Sequence, residues 1–302
     1  MEDEIKAAGI DCVGKELTGK LYELNTELVR ERVLGIKADY KTIDEVKVAK
    51  RPPALCPGCP HRGFFYTLSK IKSYVVTGDI GCYTLGSAAP LNCMDVCICM
   101  GGGFSAGMGM AKSFEREGVT DKVVFGVMGD STFFHSGMTG AAELVYNKGR
   151  MVPCVLDNRI TGMTGHQDNP GTGYTLPGDP TALLSVEKIL TALGFAPVLT
   201  VDPQDLKAMK AAVDQAVSAL DAGQQPAIVT RRPCLLIKRD KFRKGMCHVN
   251  ADKCRGCRSC LRVGCPAISM ENGKAVIDRT QCAGCTVCAQ VCPFDAIEKE
   301  EN

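Results

Sequence analysis

The chain has 302 residues, 45% of them hydrophobic and 23% charged, and a formal net charge of +2 at pH 7. That length accommodates one sizeable α/β domain plus a small appendage, at about 100 to 200 residues per domain, while the balanced charge leaves no basic stripe for nucleic acid and no run of about 18 apolar residues spans a membrane. The start, Met1-Glu-Asp-Glu, lacks the apolar stretch of a secretory signal, so the eighteen cysteines, many in C-x2-C spacings, point to metal or cluster ligation in a cytoplasmic protein rather than to disulfides.

Residues 1–49 are charged, with amphipathic patches such as Leu17 to Val33, and carry no motif. A short helical lead-in, the remnant of a preceding domain, accounts for them, with Cys12 a small buried hydrophobe. Residues 50–240 then read as one α/β domain. Arg51-Pro52-Pro53 breaks any helix and introduces CPGCPHRG, where Cys56 and Cys59 form a redox or metal hook. Reduced thiols lining a packed site are the alternative. His61 beside them has two readings, a neutral hydrogen-bonding group in a site or a structural histidine. Leu91 to Lys112 carries the glycine triplet Gly101 to Gly103 and then a helix of small residues. Such glycines allow close backbone approach and leave helix amides for phosphate. Cys93, Cys97 and Cys99 lack a clean ligand spacing and read as packing residues.

Lys122 to Gly165 is the centre of the chain. An apolar run, Val123 to Met128, ends in Gly129-Asp130-Ser131; an amphipathic segment follows, and a second apolar run, Met151 to Leu156, ends in Asp157-Asn158. This is a strand, helix, strand unit. In a parallel sheet, residues just past the carboxyl ends of neighbouring strands share one crevice, so Asp130 and Asn158 are expected to meet. A carboxylate and an amide oxygen suit Mg2+, which keeps phosphate oxygens or waters in its other positions. The expected ligand is a Mg-bound diphosphate, against the plainer reading of a solvated strand-end turn. Gly165 to Gly173 is rich in turn formers and reads as a loop over the site, with His166 near the ligand or on the surface. Leu183 to Leu193, Ala196 to Val201, Leu206 to Leu220 and Ala227 to Val229 repeat the helix, strand alternation and complete a doubly wound, mainly parallel sheet.

Residues 241–302 differ in composition. Cys254-x2-Cys257-x2-Cys260-x4-Cys265-Pro266 is followed by Cys282-x2-Cys285-x2-Cys288-x3-Cys292-Pro293, the bacterial two-cluster ferredoxin run, in which the fourth cysteine ligates the other cluster. One 4Fe-4S cluster is expected on Cys254, Cys257, Cys260 and Cys292, the other on Cys282, Cys285, Cys288 and Cys265. Zinc sites rarely use two triplets, each with a Cys-Pro.

Gly-Asp-Ser with a later Asn resembles the thiamin diphosphate motif, and Asn158-Arg-Ile-Thr161-Gly-Met-Thr164-Gly165 resembles the Asn-x-x-Tyr-x-x-Thr-Gly turn of 2-oxoacid:ferredoxin oxidoreductases, Thr161 replacing Tyr. CPGCPHRG, CICMGGG, TGMTGHQDNPG and the fused cluster region most resemble the larger (alpha) subunit of the indolepyruvate ferredoxin oxidoreductase family. The resemblance implies a thiamin diphosphate-binding fold with a small α+β ferredoxin domain. It implies that Asp130, Asn158 and the carbonyl of Ile160 hold Mg2+, and that Gly81, Gly129, Ser131, Thr161, Thr164 and Gly165 line the cofactor. His61 and Cys82 become candidate catalytic groups. VVTGDIGC and Pro233-Cys234 match the positions that give relatives a further cluster, here a third on Cys56, Cys59, Cys82 and Cys234. The implied reaction is oxidative decarboxylation of an aryl pyruvate such as indolepyruvate to aryl-acetyl-CoA and CO2, with coenzyme A as acyl acceptor and ferredoxin as electron acceptor. The family's first half, which binds the aminopyrimidine, has no counterpart here, so activity is expected only with a polypeptide supplying that half and with a smaller (beta) subunit. A pyruvate or branched-chain 2-oxoacid enzyme is the alternative, and an iron-sulfur electron-transfer module without its own catalysis the alternative of another class.

Overall fold

The computed structural model describes residues 1–21, 23–37, 52–239 and 245–300, in two compact units, Met1–Pro52 and Pro53–Asn302. In the first, α1 (Glu2–Ala7), α2 (Lys15–Thr18) and α3 (Thr26–Leu34) bury no residue. The amphipathic patches read over Leu17 to Val33 fall on the end of α2 and on α3. Asn25 starts α3, its side-chain oxygen accepting from the Leu28 N–H at 2.8 Å, which satisfies an amide that the helix itself leaves free. Cys12 is half-buried rather than enclosed, its thiol 3.9 Å from the Glu2 carbonyl.

The second unit holds a six-stranded parallel sheet of β1 (Tyr74–Gly78), β2 (Val96–Cys97), β3 (Val123–Gly129), β4 (Met151–Asp157), β5 (Val198–Val201) and β6 (Ala227–Arg231), in the order β2-β1-β3-β4-β6-β5. Every residue of VVFGVMG and MVPCVLD is buried, because alternate side chains feed two cores. Phe125, Val127, Val152, Cys154 and Leu156 face one, together with Phe64, Phe65 and Leu68 of α4 (His61–Leu68) and Met209, Val213 and Leu220 of α9 (Leu206–Asp221). Val124, Met128, Met151 and Val155 face the other, against α5 (Gly103–Arg116), α7 (Met138–Tyr146) and α8 (Val186–Leu193). Between β3 and α7 the chain runs through α6 (Asp130–Thr132) and a π-helical stretch, Phe133–Gly137. The doubly wound parallel sheet expected from the apolar runs is the observed fold. From β1 the chain moves one way to β2, then crosses to β3 on the other side of β1, which opens a crevice between the carboxyl ends of β1 and β3.

The cysteine-rich module pairs β7 (Cys247–Val249) with β10 (Ile297–Lys299), and β8 (Ile268–Glu271) with β9 (Lys274–Ile277), both antiparallel, and carries the short α10 (Val287–Gln290). Its two cysteine loops repeat one backbone. Gly256 and Gly284 have φ of 66° and 67°, and Arg258 and Thr286 both have 62°. The extra residue before Cys265 is absorbed where a 3-10 turn, Ser259–Val263, ends in a left-handed Gly264.

Candidate functional site

Asp130 opens α6 directly past β3, and Asn158 lies directly past the neighbouring β4. Both are buried. Asn158 Oδ1 stands 3.1 Å from Asp130 Oδ1 and 2.7 Å from the carbonyl oxygen of Ile160. Three acceptors thus face one another, and they are relieved either by rotating the amide so that its NH2 donates to both or by a cation among them. Oxygens around Mg2+ at 2.0–2.1 Å lie roughly 2.9 Å apart in an octahedron, so the separations fit an ion. The electrostatics point the same way. Burial, and then the charge of Asp157, push the Asp130 carboxyl above the usual carboxylate range. Asp157 itself is occupied by Arg231 Nε at 2.9 Å and Arg159 Nε at 3.3 Å, which leaves Asp130 as the carboxylate in need of a counter-charge.

The turn after Asn158 bends at Arg159, φ 59°, and the following loop folds back. Asn169 Nδ2 donates to Asp130 Oδ2 at 3.1 Å, and Arg159 Nη1 donates to the Gly171 carbonyl at 2.8 Å. Thr161 is half-buried and bridges to Gln167; Thr164 and Gly165 are exposed, Thr164 Oγ1 donating to Gln167 Oε1 at 2.6 Å. Asn169 carries no spacing signal and was not singled out from the sequence. Neither was Asp79, the fully buried residue after β1. It accepts from the Gly101 N–H at 2.8 Å and from Tyr83 Oη at 3.0 Å, and Tyr83 Oη lies 3.2 Å from Thr132 Oγ1. The Gly101 amide, ahead of the N-cap Gly102 of α5, is thus bound to Asp79. The strand-end position of Asp79, the same as that of Asp130, was the available signal. Cys97 and Cys99 are exposed, so only Cys93 of that trio is a packing residue.

Cys56, Cys59, Cys82 and Cys234 line one cavity of about 330 Å3, with His61, Asn158 and His166. Chain segments far apart in sequence converge there because the Cys234 N–H donates to the Asn158 carbonyl at 2.9 Å, and because a Cβ on Gly162 would lie 3.6 Å from Cys82 Sγ. Burial pushes the Cys59 thiol up to about 12 and raises Cys82 and Cys234, with neighbouring cysteines of the group adding to each. His61, at the start of α4, is lowered to about 4 by burial. It is a neutral imidazole, edge-on to Tyr83 with ring centroids 5.7 Å apart. Thr280, Gln281 and Ala283, flanking Cys282 of the cysteine module, close another side of the cavity.

In the module, Cys254, Cys257, Cys260 and Cys292 line a small cavity of about 20 Å3, with the Ala275 and Ala296 amides 3.5 and 3.4 Å from Cys254 and Cys292 sulfurs. Cys265, Cys282, Cys285 and Cys288 pack into the core of the module. A ninth cysteine, Cys247, joins this second group. Its N–H donates to Cys282 Sγ at 3.3 Å, and its side chain is buried. No spacing marks it in the sequence. Arg62, buried in α4, links the module to the Cys56 loop. Its Nη1 donates to the Val263 and Gly264 carbonyls at 2.9 and 2.5 Å, and its Nη2 to those of Leu55 and Cys56 at 2.6 and 2.9 Å.

A parallel sheet wound on both faces, with polar strand ends at its crevice and a paired-cysteine module packed beside it, defines a cofactor-binding α/β domain with a dicluster appendage. The chain belongs to the thiamine pyrophosphate enzyme family, whose model for the C-terminal TPP binding domain matches residues 79–230, half of the chain. A model for the 4Fe-4S dicluster domain matches residues 246–293. Among curated proteins the chain is 38% identical to indolepyruvate oxidoreductase subunit IorA of Pyrococcus abyssi, over 97% of this chain and 49% of that protein. It is 35% identical to the subunit of the same name from Methanothermobacter marburgensis, over 99% of this chain and 50% of that one. The chain thus spans about half the length of the curated relatives it matches. A 2-oxoglutarate:ferredoxin oxidoreductase from Magnetococcus marinus is similar over 62% of this chain and 66% of that chain, at 19% identity and a TM-score of 0.49.

Proposed function

We propose that this chain is the cluster-bearing half of a ferredoxin-dependent 2-oxoacid oxidoreductase that converts aryl pyruvates, indolepyruvate among them, to aryl-acetyl-CoA and CO2 and passes two electrons to ferredoxin. One observation carries the reading: Asn158 of the three-oxygen turn and the cysteines 56, 59, 82 and 234 share a single cavity that the ferredoxin-like module closes. The names of the curated relatives support the aryl substrate.

In this reading Asp130, Asn158 and the Ile160 carbonyl hold Mg2+, and Gly129, Ser131 and the turn from Thr161 to Gly165, with Gly81 across the crevice, receive the diphosphate at the start of α6. Thiamin diphosphate supplies an electron sink for decarboxylation when bound. The chain's own residues hold and orient. Asn169 fixes the Asp130 carboxylate, Asp79 and Tyr83 fix the crevice between β1 and β3, and neutral His61 faces the cavity as a hydrogen-bonding group rather than a charge. Cys56, Cys59, Cys82 and Cys234 would ligate a third 4Fe-4S cluster in the cavity they line. Residues 50–240 form the cofactor domain and 241–302 the ferredoxin-like domain, after a lead-in over 1–49. The partners are a polypeptide supplying the pyrimidine-binding half, a smaller subunit, ferredoxin and coenzyme A, in the cytoplasm; no described helix is long and apolar enough to cross a membrane.

The test is reduction of a viologen dye by the reconstituted assembly, given thiamin diphosphate, Mg2+ and CoA, with indolepyruvate, phenylpyruvate, pyruvate and 2-oxoisovalerate in turn. Preference for the aryl substrates is expected. Preference for pyruvate overturns the substrate assignment, and no reduction with any 2-oxoacid in an assembly containing the cofactor overturns the reaction class and leaves an electron-transfer module.

A further inference from the structure

Arg62 is 2% exposed, and a guanidinium stays charged wherever it is placed. Its described partners are four backbone carbonyls and no carboxylate. Its Nε–H, also buried, has no acceptor among the described residues. Carbonyl dipoles solvate a cation without neutralising it, and buried charges in folded proteins are otherwise paired or sit beside metal sites. The two pairs of carbonyls identify what is missing. One pair belongs to Leu55 and Cys56, at the head of the Cys56 to Cys59 loop; the other belongs to Val263 and Gly264, the two residues before Cys265. Arg62 therefore ties together two cysteine groups that lie on different elements. A 4Fe-4S cluster held by four thiolates is an anion, and each added electron makes it more so, so a fixed cation nearby favours its reduced form.

We propose that Arg62 is the shared counter-cation of two clusters, the one on Cys282, Cys285, Cys288 and Cys265 and the one on Cys56, Cys59, Cys82 and Cys234, and that it raises the reduction potential of both. The part concerning the Cys56 group rests on the function proposed above; the part concerning the Cys282 group needs only the dicluster module. Arg62 is a positioning residue in this scheme. It touches the ligand loops rather than the reacting atoms, and its charge acts through space. A cluster-free chain would leave the cation uncompensated, which gives a physical reason for the Cys56 loop and the module to be completed together.

The experiment is an EPR-monitored redox titration of the anaerobically purified full chain with its partner polypeptides, with iron and sulfide measured on each sample, for the parent, Arg62→Gln and Arg62→Lys. Arg62→Gln keeps polar donors and loses the charge. It is expected to load the parent's iron and to need a more negative potential at the Cys282 cluster, on the order of a tenfold loss in the fraction reduced at fixed potential, with a smaller shift at the cluster on Cys254, Cys257, Cys260 and Cys292. Arg62→Lys keeps the charge and should stay near the parent. Unchanged potentials in a fully loaded Arg62→Gln, or an equal shift in Arg62→Lys, overturn the proposal and leave Arg62 a structural tie. If Arg62→Gln does not fold, the lysine variant decides alone: the parent's potential supports the electrostatic role and a displaced one refutes it. A parent with about eight irons rather than about twelve, at four per cubane, removes the Cys56 cluster from the pair, while the shift at the Cys282 cluster is still read.

Discussion

Arg231, at the end of β6, reaches Asp157 Oδ2 at 2.9 Å and Glu187 Oε1 at 2.5 Å. It thereby keeps the carboxylate next to Asn158 from competing for the position that Asp130 faces. Glu187 responds to this placement. Burial works against its charge, yet Arg231 and the Ser185 hydroxyl hold its carboxyl down to about 2, from an ordinary value near 4.5. A folded-state value below the unfolded one means stability that is complete above the unfolded value and lost as the pH falls toward the folded one. Comparison of anaerobic urea midpoints for the parent and Glu187→Gln should show a gap worth about 1 kcal/mol after solvent screening, constant from about pH 8 to 5 and narrowing below about pH 4.5. A gap that widened on acidification would show that Arg231 does not act on Glu187 in this way. None of this network was legible in the sequence. Arg231 and Glu187 lie on separate elements, and only the parallel register of β4 and β6, which puts Asp157 opposite Arg231, brings them together.

Helix α5 shows the same division at the scale of one element. The glycine triplet before it announces close backbone approach, and the approach is real, although it is made to the sheet. A Cβ on Gly103 would stand 2.4 Å from the Val127 carbonyl oxygen and 3.2 Å from that of Gly78, and Thr77 Oγ1 donates to the Gly103 carbonyl at 2.8 Å. Gly103→Ala should therefore lift the helix off β1 and β3 and lose about 2–3 kcal/mol of stability, as overpacked cores do. Gly109, on the exposed side of the same helix, has nothing within 4 Å of its missing Cβ, so Gly109→Ala should gain about 0.5–1 kcal/mol through helix propensity and a less flexible unfolded chain. Chemical denaturation of both variants checks the pair. Equal effects of the two substitutions would mean that the contact at Gly103 does not set the helix position.

At the scale of the whole molecule, the loop around Cys282 borders the cavity that Cys56, Cys59, Cys82 and Cys234 line, and Arg62 bonds the carbonyls of Leu55 and Cys56 on one side and of Val263 and Gly264 on the other. If each of the three cysteine groups holds a cubane, the complete assembly carries about twelve irons per chain, at four per cluster. Cys82→Ala and Cys234→Ala should each bring that to about eight and leave the paired EPR signals of the module intact. Iron and acid-labile sulfide that do not change in either variant would count against ligation and favour four reduced thiols lining the cavity. The packing supports a fixed relation between the groups. Gln290 Oε1 accepts from the Leu206 N–H at 2.9 Å and its Nε2 donates to the Gln204 carbonyl at 2.7 Å, while Gln204 Nε2 donates to the Gly58 carbonyl at 2.8 Å.

The sequence by itself determined the features whose cause is local. Strands buried on both faces must be apolar throughout, so β3 and β4 stood out as continuous runs. The loop that wraps a cubane needs its cysteines three apart, so the two triplets could be read without a fold. The meeting of Asp130 with Asn158 was also within reach, because adjacent parallel strands end side by side. Tertiary structure alone decided the rest. It placed β6 between β4 and β5, brought Cys234 to the Asn158 carbonyl, assigned the Gly101 amide to Asp79, and set Cys247 against Cys282. It also buried Arg62 between two ligand loops. Each of these depends on strand order and on contacts between distant segments, and periodicity and spacing along the chain carry no information about either.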